Sequence, residues 1–124
     1  LEMELPKSLY VDDEIINLEL LQLTFMNDFR VILAKSAEEG LRLLALHPDI
    51  HVVISDLKMS GMNGLDFIKE VKQMDRKKVC MLLTGFMESD VMMEGFNKEL
   101  IFRYLMKPWN KNELDEAIRA ALSR

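Results

Sequence analysis

The stretch Val52–Gly64, "VVISDLKMSGMNG", runs four residues suited to the middle of a sheet into a lone carboxylate, Asp56, and then breaks up into Ser, Gly and Asn. An unpaired carboxylate is costly to bury, so a charge in this place belongs at the open end of a strand, where water, a cation or a partner side chain satisfies it. Taken alone, Asp56 reads as a strand terminator or the start of an Asx-type turn. The ends of the other strands decide whether it is more than that.

Short apolar runs at "SLYV" (8–11), "FRVILA" (29–34), "HVVIS" (51–55), "VCMLLT" (79–84) and "IFRYLM" (101–106) read as strands. Several are apolar throughout, as parallel strands covered on both faces are. Helical periodicity fills the gaps. Residues 14–26 place Ile15, Leu18, Leu21 and Phe25 on one face, and Ser36 and Glu39 stand in capping-box spacing at the head of "SAEEGLRLLAL". Leu65, Ile68 and Val71 share a face over 65–74, and residues 87–99 form the least clear helix. Asn110 with Glu113 opens a last helix carrying Leu114, Ala117, Ile118, Ala121 and Leu122. Strand and helix alternating five times predict an α/β fold, a flavodoxin-like (βα)5 doubly wound parallel sheet in the order 2-1-3-4-5.

In such a sheet ligands bind outside the carboxyl ends of the strands. The first strand ends in Asp12 and Asp13, the third in Asp56, the fourth in Thr84 and the fifth in Lys107, whereas the second ends blandly at Ala34 and Lys35. With the second strand at the edge, the polar ends lie side by side. Three crowded carboxylates imply raised pKa values or a cation. Oxygen donors without His or Cys favour a hard ion such as Mg²⁺. An Asp can serve as a nucleophile toward phosphorus while a metal, a Lys and a hydroxyl balance the charge on the transferring group.

At this point the chain resembles a response-regulator receiver domain of two-component signalling. The resemblance runs over about residues 7–123 of a single domain, 1–124, and rests on "VDDE", "SDLKMSGMNG", "LLTG" and "YLMKPW" in order on matching elements. It implies that Asp56 is the phosphoacceptor and that Asp13, Asp56 and the backbone carbonyl of Lys58 bind Mg²⁺, with Asp12 acting through a metal-bound water. It implies that Thr84 and Lys107 contact the phosphoryl group, that Tyr104 is the aromatic that swings inward with Thr84 on activation, and that the face formed by the fourth helix, fifth strand and fifth helix changes its partner affinity. The donor it implies is a phosphohistidine on a sensor histidine kinase or phosphotransfer protein. The domain is then a phosphoacceptor with self-catalysed transfer, not an enzyme with an external product. A cis bond before Pro108 follows from the same resemblance.

Three departures stand out. Ser60 replaces the family's proline in "MSGMNG", which is expected to loosen that loop. Lys58 and Phe86, two residues past Asp56 and Thr84, offer neither carboxylate nor amide at places that orient the hydrolytic water in the family. A long-lived phosphoryl group is the expectation. The ending "IFRYLMKPW" resembles receivers joined to cyclic-dinucleotide phosphodiesterase or histidine kinase modules, so an output module beyond Arg124 is expected, and homodimerisation on activation is left open.

The bounds agree. With 124 residues, 49% of them hydrophobic and 30% charged, the chain has the composition of one globular domain. A net charge of −5 argues against direct contact with nucleic acid. No apolar run reaches the ~20 residues that span a bilayer, and a cytoplasmic location is the expectation. The lone Cys80 excludes an internal disulfide and reads as a core residue. His47 and His51 read as structural or solvated. The first residue is Leu1, so the ends are not taken as biological termini. A flavodoxin-type electron carrier is excluded because "VDDEII" sets acid where a flavin phosphate would sit, and a haloacid-dehalogenase-like phosphatase because "DDEII" lacks that family's DxDx(T/V) pattern. The remaining alternative is a receiver-like interaction module that works without phosphorylation.

Overall fold

The computed structural model describes residues 5–85 and 88–124. Five strands and five helices alternate along the chain: β1 Lys7–Val11, α1 Ile15–Phe25, β2 Arg30–Ala34, α2 Ala37–Leu46, β3 Val52–Ser55, α3 Gly64–Met74, β4 Val79–Thr84, α4 Ser89–Asn97, β5 Arg103–Met106 and α5 Lys111–Leu122. The strands form one parallel sheet in the order β2-β1-β3-β4-β5, as the sequence predicts.

Alternation along each strand explains the unbroken apolar runs. Tyr10, Val52, Ile54, Val79, Met81 and Leu83 face one side, packed with α1 and α5 through Leu18, Leu21, Phe25, Leu114, Ala117 and Ile118. Leu9, Val11, Val53, Cys80 and Leu82 face the other, against Leu44 of α2 and Leu65, Phe67, Ile68 and Val71 of α3. Both faces are covered, so residues of either parity along the strand are mostly apolar. Each fully buried Leu or Phe contributes roughly 1.5–3 kcal/mol relative to exposure.

The helix starts carry the caps their sequences call for. Ser36 Oγ accepts from Glu39 N–H at 3.1 Å, while the Glu39 carboxylate takes the N–H of Lys35 at 2.8 Å. Asn63 and Asn110 cap α3 and α5 in the same way. α1 has no side-chain cap, and it departs from expectation at Ile15, which is 53% exposed. Ile15 lies in the first turn at the margin of the face that Leu18, Leu21 and Phe25 bury, so it faces solvent.

At the opposite end of the sheet the buried Lys78 donates to the carbonyls of Pro48 and Ile50, which closes that rim with main-chain partners. Among the described residues no helix is long and apolar enough to cross a membrane.

Candidate functional site

The polar residues predicted at the strand ends are brought together at the carboxyl edge of the sheet by main-chain bonds. Asp12 N–H donates to Ala34 O at 3.1 Å, Asp56 N–H to Val11 O at 2.9 Å and Lys107 N–H to Thr84 O at 3.0 Å. The sheet register thus continues one residue past each strand. It sets Asp12 beside Asp56, and it holds Lys107 by its main chain one residue from Thr84.

Lys107 is the hub. Its ammonium lies 2.7 Å from Asp12 Oδ2 and 3.0 Å from Asp56 Oδ2. Burial alone would lower its pKa, but the hydrogen bonds and charges of the two carboxylates outweigh that and raise it above the ordinary lysine value. The bond between Lys107 and Pro108 is cis, as expected.

Asp12 is fully buried, and four donors surround it. Besides Lys107, Tyr10 Oη–H reaches Oδ2 at 2.8 Å, Asn17 Nδ2 reaches Oδ2 at 3.2 Å, and Glu14 N–H reaches Oδ1 at 2.9 Å. Burial, then the charge of Asp12 and its hydrogen bond, push the Tyr10 phenol far above the usual tyrosine range, so it stays a neutral donor. Asp56 is 8% exposed and accepts Leu57 N–H on Oδ1 at 2.7 Å. One of its oxygens therefore faces a main-chain donor and the other a cation.

The loop after Asp56 is shaped by two glycines. Gly61 adopts φ +80°, open chiefly to glycine. Gly64 lies so close to the strand end that a β-carbon there would overlap the carbonyl oxygen of Asp56, and its N–H donates to Leu57 O at 2.8 Å. The "MNG" spacing is thus a packing requirement of the acceptor. Ser60 N–H donates to Asp13 Oδ2 at 3.0 Å, a bond that proline at this place could not make. Asp13 itself is exposed.

The side chain of Lys58 turns outward and pairs with Glu88 at 3.6 Å across solvent. Thr84 is buried at the end of β4 and faces the same side of the sheet as Leu82, the register partner of Tyr104. Tyr104 Oη–H donates to Met92 O of α4 at 2.8 Å, and burial raises its pKa. Met92 and Met93 of α4 and Met106 of β5 are exposed rather than used as core filler. Phe86 lies outside the described residues. His47 ends α2 with its main-chain N–H on Leu43 O, and the His51 carbonyl accepts from Val79 N–H.

Among the described residues no three His, Cys, Asp or Glu side chains are already gathered as a metal cluster. The donor chemistry nevertheless fits a hard cation. Asp12 and Asp56 share one ammonium, and Asp13 is joined through Ser60 to the loop that Asp56 begins.

Sequence reasoning missed Tyr10 and Asn17, and it named Ser60 without its bond to Asp13. Tyr10 carried a usable signal: a tyrosine inside a continuously buried strand needs a partner for its hydroxyl, and Asp12 two residues on shares its face.

The profile of the response regulator receiver domain matches residues 9–119. The chain is 33% identical over 114 residues to the hydrogenase transcriptional regulatory protein HoxA of Cupriavidus necator, covering 92% of this chain and 23% of that protein. It is 37% identical over 120 residues to the transcriptional regulatory protein CpxR of Escherichia coli, covering 95% of this chain and 50% of that protein. Among solved structures, a response regulator receiver domain protein from Clostridium thermocellum superposes with TM-score 0.89 at 34% identity, over 97% of this chain and 96% of that one. A signal receiver domain of an HD domain-containing protein from Pseudomonas fluorescens gives TM-score 0.90 at 30% identity, over 97% of this chain and 96% of the other.

Proposed function

The chain belongs to the response regulator receiver family, and on that premise we propose that it is a phosphorylation-dependent switch in which Asp56 accepts a phosphoryl group from a phosphohistidine. The observation that carries this reading is the Lys107 ammonium held between Asp12 and Asp56 at the open edge of the sheet. It places a fixed cation beside a carboxylate that has kept one edge toward the crevice.

In the transfer an Asp56 carboxylate oxygen bonds to phosphorus as the P–N bond to the donor imidazole breaks, and the electron pair returns to the ring nitrogen. Lys107 balances the charge gathering on the phosphoryl oxygens, and the Thr84 hydroxyl takes one of them as acceptor. Asp12, Asp13, Asp56 and the carbonyl of Lys58 would hold Mg²⁺, which supplies charge neutralisation among the crowded carboxylates and the phosphoryl oxygens.

Thr84 and Tyr104 couple the site to α4 and β5. Tyr104 is now tied to Met92 O, so drawing it inward breaks that bond and alters the exposed methionine face. A partner shifts this equilibrium only by its differential affinity for the two arrangements. Methionine suits a surface that adapts to a partner helix.

The chain spans 23% of HoxA and 50% of CpxR, so the donor kinase and the output module belong to the proposal. Similar proteins include transcriptional regulators, an HD domain-containing protein and an adenylate cyclase, and the switch is proposed independently of the output it drives. A single receiver domain within a longer regulator, working in the cytoplasm, is the setting proposed.

Intact mass after incubation with Mg²⁺ and acetyl phosphate tests the reading. A phosphate-sized gain that requires Mg²⁺ and disappears in Asp56→Asn supports it. The absence of any gain in the folded native chain, alongside a receiver that labels normally, supports the phosphorylation-independent interaction module.

A further inference from the structure

We propose that Tyr10 is a positioning residue for this switch: its phenol keeps Asp12 satisfied when the Lys107 ammonium turns from Asp12 to a phosphoryl group on Asp56. The inference rests on the phosphorylation reading above and adds a residue to it.

Asp12 has no exposure to water, so every charge-balancing contact must come from the protein or from a bound cation. Its Oδ2 atom now takes Lys107 at 2.7 Å, Tyr10 at 2.8 Å and Asn17 at 3.2 Å. The same ammonium is 3.0 Å from Asp56 Oδ2. A phosphoryl group on Asp56 adds negative charge on that side, which draws the ammonium away from Asp12. Losing one partner of a buried carboxylate carries the full desolvation penalty of the group unless another donor stays behind.

Tyr10 is placed to be that donor. It lies in the middle of β1, paired in register with Leu33 of β2 and Ile54 of β3, and it is fully buried. Its ring cannot leave without breaking the core it fills with Phe25 and Met81. Asn17, in the first turn of α1, makes the longer contact, 3.2 Å against 2.8 Å for Tyr10. A phenylalanine would fill the same space, so the hydroxyl is the part that needs a functional account.

The same crevice holds Trp109, the chain's one tryptophan, alongside Tyr10, Asn17, Lys107 and Pro108. Its fluorescence is therefore a local reporter. Native protein and Tyr10→Phe are titrated first with Mg²⁺ alone and then with beryllofluoride, a phosphoryl mimic, at saturating Mg²⁺. Tyr10→Phe is expected to bind Mg²⁺ within twofold of native, because Lys107 still serves Asp12, and to bind beryllofluoride about tenfold more weakly, the worth of a hydrogen bond to a charged group. Equal beryllofluoride affinities overturn the inference. So do parallel losses of both affinities, which mark a distorted site. If the native chain itself ignores beryllofluoride, the phosphorylation reading fails and this inference fails with it.

A second measurement needs no variant. The Tyr10 hydroxyl proton of the native chain, followed by NMR, is expected to remain slowly exchanging after Mg²⁺ and beryllofluoride are added. Its loss overturns the proposal even if Tyr10→Phe does not fold.

Discussion

Lys107 and Asp56 meet at 3.0 Å across the carboxyl edge of the sheet, and the same lysine nitrogen is 2.7 Å from Asp12. One positive charge thus serves two carboxylates on neighbouring strands. The arrangement is poised between an internal counter-ion and an external one, since the lysine and a bound cation would compensate the same carboxylates and removing the lysine creates demand for a cation.

That balance sets the first prediction. Without divalent metal, Lys107→Met lowers unfolding stability by roughly 2–4 kcal/mol, because breaking a buried pair strands the remaining charge. Saturating Mg²⁺ restores more stability to the variant than it adds to native protein. Urea unfolding with Mg²⁺ and with EDTA measures both. An equal Mg²⁺ increment in the two proteins would show that lysine and metal do not serve the same carboxylates.

Gly64→Ala forces a β-carbon into the carbonyl of Asp56. Relief requires the acceptor loop to shift, at a cost of about 1–3 kcal/mol for overpacking. Labelling by acetyl phosphate is expected to slow at least about tenfold, since positioning errors of this kind are costly to reaction rates. Stopped-time mass measurements check it, and a native labelling rate in the variant would sink the account.

The phosphoryl group on Asp56 is expected to last for minutes or longer at neutral pH. Lys58 turns toward Glu88 and offers no carboxylate or amide to orient the attacking water. Lys58→Asn is expected to shorten the lifetime, read as decay of the labelled mass. Decay within seconds in the native chain counts against this prediction.

Cys80 gives a pH dependence with a definite sign. Burial pushes its thiol from the usual 9.0 up to about 12. The unfolded thiol therefore releases its proton first, so the contribution is whole below pH 9 and is lost as pH rises toward 12. Between pH 7 and pH 10.5 native protein is expected to lose on the order of 2 kcal/mol more stability than Cys80→Ala. Denaturant midpoints at the two pH values test this. Identical losses would mean that the folded thiol ionises as freely as the unfolded one.

Ser8 is 1% exposed, and among the described residues its hydroxyl is the buried side-chain atom without a partner. Replacing it by Ala removes an unmet donor and acceptor, for an expected gain of about 1 kcal/mol. A thermal melt lower than native in Ser8→Ala would show that the hydroxyl is satisfied in solution.

Much of this molecule is legible from local pattern. Unbroken apolar strands such as Val79–Thr84, separated by helical periods, require a sheet covered on both faces, and parallel connections then put the strand ends "DD", "D", "T" and "K" along one edge. Caps such as Ser36 and Asn110 are equally local, because a helix start satisfies its N–H groups from neighbours in sequence. The sequence by itself therefore determined the covered parallel sheet and the identity of the polar residues that line its edge, with the strand order as an expectation that the structure bears out. Only the tertiary structure decided how those residues share their charges. That Lys107 divides itself between Asp12 and Asp56, that Ser60 ties down Asp13, and that Tyr10 spends its hydroxyl on Asp12 depend on distances between strands. Hydrogen bonds and ion pairs form or fail within a few tenths of an ångström, a scale that periodicity does not carry.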